Sequence, residues 1–95
     1  MAGKVKVRFY ALLRRRLQRE ALEVEGDGLA VLDVLRRAEK EAGRPFLDEL
    51  LDPQQGLLAG TLILVNGENV RLKEGLATRL RAGDALDLFS PAGGG

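Results

Sequence analysis

The chain is 95 residues long, one domain's worth, enough to bury roughly 60 to 65 % of the surface its unfolded form exposes. Hydrophobic residues at 45 %, charged residues at 31 % and a net charge of +1 describe an ordinary globular protein and give no general electrostatic case for a nucleic-acid or membrane-surface partner. With no cysteine and no histidine, thiol catalysis, Ser-His catalysis, a zinc site and a disulfide framework are all excluded.

From Lys4 the residues alternate, with Val5, Val7 and Phe9 on one face and Lys4, Lys6 and Arg8 on the other, the period of a half-buried strand. Nothing in this opening "MAGKVKVRFY" has the apolar stretch of a signal peptide, and no later run is long enough to span a membrane, so a cytoplasmic protein is expected. The period then changes. Tyr10, Leu13 and Leu17 fall at helical spacing and leave Arg14, Arg15, Arg16 and Arg19 outward on a short helix. "ALEVEG" alternates through Leu22 and Val24 and stops at the turn signal "GDG", a second strand.

The longest helix follows. Val31, Val34, Leu35, Ala38 and Ala42 make one apolar stripe, Asp33 and Lys40 suit the two ends of the helix dipole, and Gly43 and Pro45 stop it. Between Arg44 and Gly60, Phe46, Leu47, Leu50 and Leu51 fit one helical turn, and Pro53 to Gly56 fit a loop. "TLILVNG" is a continuous apolar run ended by Asn66-Gly67, which predicts a strand buried on both faces and a tight turn into a short strand from Asn69 to Leu72. After a loop and a turn at Ala82-Gly83-Asp84, a last strand puts Leu86 and Leu88 inward and Asp87 outward. Two strands, one long helix and three strands pack most economically as a single mixed sheet laid on the helix, an α+β domain over residues 1–90.

Residues 91–95 read as a tail. Pro91 fixes its own φ, so the chain leaves the last strand in a constrained direction. The glycines beyond it have no Cβ and can pass where only main chain fits. Four residues past Pro91 reach about 13 to 14 Å when extended, enough to carry the Gly95 carboxylate to a buried site on a partner. Ordering such a tail costs about 1 to 2 kcal/mol per residue, so a rigid patch on the body must supply the affinity. Phe89, at the tail's root, is either that anchor or an edge residue folded over the core. A glycine run also fits a truncated linker with no role at all.

"KVKVRFYALLRR", "VNGENV", "RAGDALDLF" and "FSPAGGG" together resemble the ubiquitin-like sulfur carriers, most of all the small subunit of molybdopterin synthase, over essentially the whole chain. The most specific part is the end, where Leu88-Phe89, Pro91, Ala92-Gly93 and Gly94-Gly95 match the family's strand, proline, small residues and terminal Gly-Gly. It departs from the family in having Ser90 for a second proline, Ala92 for a bulkier residue such as valine, and Gly93 for alanine or threonine. The resemblance implies a β-grasp fold, a mixed sheet wrapped on one long helix. It further implies that a ubiquitin-activating-like enzyme spends ATP to adenylate Gly95, and that sulfur displaces AMP to leave a thiocarboxylate. Gly94 would thread beside Gly95 into the synthase large subunit, and Phe89, Tyr10, Arg14, Pro91 and Gly93 would meet the partner. On this resemblance the chain is no enzyme alone and binds no cofactor or metal itself. From the sequence, Tyr10 equally fits a core aromatic and Arg14 a solvated charge. The alternatives that remain open are a sulfur carrier for thiamine or tRNA thiolation, a protein modifier joined through Gly95 to lysines, and an interaction module with an inert tail.

Overall fold

The computed structural model describes residues 3–91. Strand β1 (Lys4–Phe9) leads into a short helix α1 (Leu12–Leu17), which returns the chain as β2 (Ala21–Glu25), antiparallel to β1 with Val5 opposite Val24 and Val7 opposite Leu22. Helix α2 (Val31–Ala42) crosses the sheet, and a segment holding one 3-10 turn (Leu47–Glu49) leads to β3 (Leu62–Val65) and β4 (Glu68–Asn69). After 3-10 turns at Val70–Leu72 and Gly75–Ala77, β5 (Ala85–Phe89) enters the middle of the sheet. The strand order is β2-β1-β5-β3-β4, with β1 and β5 parallel and every other neighbour antiparallel. This mixed sheet on one long helix is the β-grasp arrangement.

One face of the sheet carries the core. Val5, Val7, Phe9, Leu22, Val24, Ile63, Val65, Leu86 and Leu88 lie against Val31, Val34, Leu35 and Ala38 of α2, all buried. The alternating strands and the apolar stripe of the helix thus meet as their periods require. The helix ends at Gly43 in the left-handed region (φ 73°), whose N–H donates to the carbonyls of Glu39 and Lys40. Its N-terminus lacks a side-chain cap, and the Val31 N–H is satisfied instead by the Thr78 carbonyl at 2.9 Å. Phe46, Leu50 and Leu51 seal the end of the core, with Phe46 edge-on to Phe9 at 5.4 Å. The Glu39 carboxylate accepts the Phe46 and Leu47 amides at 2.8 and 3.0 Å and so holds this plug to α2.

Three expectations need correction. The run "TLILV" is not buried on both faces: Ile63 and Val65 are buried, but Leu62 and Leu64 are only half-buried, because among the described residues no second layer covers the far side of the sheet. The strand expected from Asn69 to Leu72 stops at Asn69, whose side chain accepts the Arg71 amide at 2.9 Å and starts a 3-10 turn. That turn sends Val70 into the core and leaves Leu72 exposed. Tyr10 does not belong to the helical stripe; its amide donates to the Leu88 carbonyl at 3.2 Å, extending β1 beside β5 by one residue.

Candidate functional site

The uncovered face of the sheet is where the described chain ends. Pairing sets Phe89 opposite Leu62, and Asp87 between Arg8 on β1 and Leu64 on β3. Tyr10, one residue past β1, lays its ring on Phe89 with centroids 4.5 Å apart and planes 10° from parallel. Phe89 is therefore neither a core residue nor a free-standing one. Tyr10, Phe89, Leu62 and Leu64 are all half-buried and form an apolar patch on the open face.

A sharp turn places α1 beside this patch. Ala11 sits at φ 52°, ψ −121°, a region that residues with a Cβ rarely enter, and reverses the chain between Tyr10 and the helix. The turn brings the Arg14 guanidinium over the Tyr10 ring at 5.9 Å, a cation–π contact. Arg14 has a loose ion pair with Glu20 at 3.8 Å, and both side chains are exposed, so solvent leaves it available to a partner.

Asp87 is the main departure from the sequence expectation. It points to the open face as the alternation requires, yet it is 7 % exposed. Its carboxylate accepts Arg8 Nε at 2.5 Å and Nη2 at 3.2 Å, and the Tyr10 hydroxyl at 3.3 Å. The hydrogen bond and charge of Asp87 raise the Arg8 guanidinium above its ordinary value. The parallel pairing of β1 with β5 puts these two residues in one row, and no local pattern in either strand announces it.

Pro91 is half-buried at the end of the described chain. It packs against Gly60, which takes φ +89°, and a Cβ added at Gly60 would lie 3.2 Å from the Pro91 Cβ. Sequence reasoning missed Gly60, as it missed Arg8, Asp87, Leu62 and Leu64. The signal for the leucines was present: an unbroken apolar run in a sheet with one helical layer must expose part of itself. Gly93, Gly94 and Gly95 lie outside the described residues.

The site offers contact surface and no acid–base constellation, since its carboxylate already serves three donors. Among the described residues no cluster of three or more acidic side chains is placed to hold a metal ion. A separate open groove of about 410 Å³ is lined by Leu47, Leu51, Pro53 and Leu58, but its Asp52 is spent on the amides of Gln54 and Gly56 at 2.9 Å. No helix among the described residues is long and apolar enough to cross a membrane.

Known proteins resemble this chain over most of its length. The family model described as the ThiS family matches residues 7–95. A protein of Archaeoglobus fulgidus whose name describes a sulfur carrier is 32 % identical over 74 residues, 78 % of this chain and 83 % of its own. The solution structure of small archaeal modifier protein 1 of Methanosarcina acetivorans superposes with a TM-score of 0.76 at 30 % identity, covering 100 % of this chain and 99 % of that one. A Pyrococcus furiosus protein assigned as subunit 1 of a molybdopterin converting factor superposes with a TM-score of 0.64 at 25 % identity, covering 96 % of this chain and 100 % of its own.

Proposed function

From the premise that this chain belongs to the ThiS family of ubiquitin-like sulfur carriers, small proteins that are not themselves catalytic, we propose that it is the small subunit of a molybdopterin synthase, carrying sulfur on Gly95. A bare carboxylate is a poor acyl donor. A ubiquitin-activating-like enzyme in the cytoplasm joins the Gly95 carboxylate to the AMP portion of ATP and releases pyrophosphate. A hydrosulfide-level sulfur nucleophile then attacks the acyl carbon and expels AMP, which leaves the thiocarboxylate. The synthase large subunit receives the tail, the thiocarboxylate sulfur bonds to a carbon of a pterin precursor and displaces an oxygen leaving group, and water then cleaves the acyl–sulfur bond, which leaves the sulfur on the pterin and returns the Gly95 carboxylate.

The observation that carries this reading is the half-buried Tyr10–Phe89 pair on an open sheet face, two residues from Pro91. It is a rigid aromatic anchor at the root of the segment that must reach into a partner, the place where docking has to supply what tail ordering costs. The likeness to the Pyrococcus furiosus factor supports the synthase role. The likeness to the Methanosarcina acetivorans modifier supports a second reading, in which the same adenylate is attacked by a lysine amine and Gly95 forms an isopeptide. A carrier for thiamine or tRNA thiolation would use the same thiocarboxylate with a different acceptor.

Sulfur transfer by the reconstituted large subunit tests the proposal. Gly94→Val is expected to abolish transfer, because a branched Cβ fills a channel sized for main chain and removes backbone conformations open to glycine. Deleting Gly95 is expected to do the same, because the carboxylate then stops about 3.5 Å short. Full activity in either variant would overturn the role given to the tail. Gly95 joined to lysines in place of sulfur transfer would favour the modifier.

A further inference from the structure

Asp87 is an odd residue for its position. Aspartate is depleted in strands, yet this one lies in the middle of β5, flanked by β1 and β3, and is buried. Burying a carboxylate costs free energy, and replacing a buried ion pair by apolar residues of similar volume commonly leaves a protein as stable or more so. The Arg8 side chain is 39 % exposed, so water weakens its attraction to the 10 % exposed side chain of Asp87. Stability alone gives little reason for the residue.

Its geometry gives a better one. The carboxylate is gripped by two nitrogens of Arg8, which fixes its plane, and one of its oxygens accepts the Tyr10 hydroxyl. Tyr10 is thereby held at both ends of its side chain, by its backbone bond to Leu88 and by its hydroxyl, with its ring flat on Phe89. We infer that Asp87, backed by Arg8, is a positioning residue that locks Tyr10 onto Phe89 before any partner arrives, so that the aromatic platform docks already ordered. The inference rests on the docking role proposed above for these two rings. Ordering side chains in advance removes part of the cost of association.

The chain contains one tyrosine and no tryptophan, so tyrosine emission reports Tyr10 alone. Emission anisotropy of the free protein is to be compared between the parent, Asp87→Leu and Asp87→Asn, and a melting curve and affinity for the synthase large subunit across these and Tyr10→Phe. Asp87→Leu is expected to lower the anisotropy and to weaken binding roughly tenfold with at most a modest loss of melting temperature, because the 39 % exposed Arg8 side chain it leaves unpaired turns to water. Asp87→Asn keeps an acceptor for the Tyr10 hydroxyl and is expected to restore most of both signals. Tyr10→Phe, which leaves the ion pair intact, is expected to bind as weakly as Asp87→Leu. Anisotropy equal to the parent in Asp87→Leu, or parental binding by Tyr10→Phe, would overturn the inference. So would a large loss of melting temperature in Asp87→Leu with Tyr10 still ordered, the mark of a purely structural residue. Failure of the parent to bind the large subunit would contradict the function proposed above, and the anisotropy of the free protein would still decide the role of Asp87.

Discussion

At the scale of single residues, the site is built from side chains that a fold by itself does not need. Phe89 contributes one stacked face to Tyr10 and leaves the rest of its ring on the open side of the sheet. Phe89→Ala is therefore expected to cost more than about 1 kcal/mol in docking to the large subunit, a hot-spot loss. The accompanying cost in stability is smaller than the ~3 kcal/mol or more of a deleted core aromatic. Binding titrations beside thermal melts separate the two, and a large melting loss with unchanged affinity would return Phe89 to the core. Gly60 makes a different demand. Its φ of +89° strains any residue with a Cβ, and a Cβ there would crowd Pro91 at 3.2 Å, so Gly60→Ala is expected to destabilise by about 1 to 2 kcal/mol and to displace Pro91. A melting curve and a sulfur-transfer rate check both parts. These two positions differ in how far the sequence reveals them: Phe89 stands out beside a proline and a glycine tail, whereas Gly60 is one of 12 glycines and its need appears only when Pro91 lands on it.

At the scale of elements, the alternation of β1 and β2 and the stripe of α2 were legible because each buries one face against the other, and local period then equals tertiary environment. The Asn66-Gly67 turn was legible for a similar reason: both residues take positive φ (50° and 86°), as a tight hairpin requires. Asn66 also bonds Asp84 and the Ala85 amide, both at 2.9 Å, which pins β3 to β5. The segment from Arg44 to Gly60 was opaque because its Phe46 and Leu50 are buried by distant partners at the end of the core, without a period of their own. Where the strand logic failed, at Leu62 and Leu64, the failure marked the candidate site. The turn into α1 stores strain at Ala11, and Ala11→Gly is expected to raise stability by about 1 kcal/mol while keeping the turn. Chemical denaturation measures this, and a loss of stability would show that the Ala11 conformation carries no strain.

At the scale of the whole molecule, a single core carries the fold, and one face of the sheet stays open among the described residues, the face that the proposed function assigns to a partner. Leu35 is fully buried in α2, and Leu35→Ala is expected to cost about 2 to 5 kcal/mol by denaturant titration, among the largest effects of any one truncation. Stability is expected to vary little between about pH 6 and 8, since the chain has no histidine. The raised Arg8 group agrees with this, because its contribution is complete below its unfolded value and is lost only as pH rises through the still higher folded one. The proposed sulfur chemistry takes place on Gly95, and intact-mass spectrometry detects it without a pterin assay. The protein is incubated with its activating enzyme, ATP and a sulfide donor, with pyrophosphate release monitored to show that the enzyme is active. The expected result is the mass increase of one oxygen exchanged for sulfur, located at Gly95 and absent without ATP; an unchanged mass beside an active enzyme would overturn the sulfur-carrier role of Gly95.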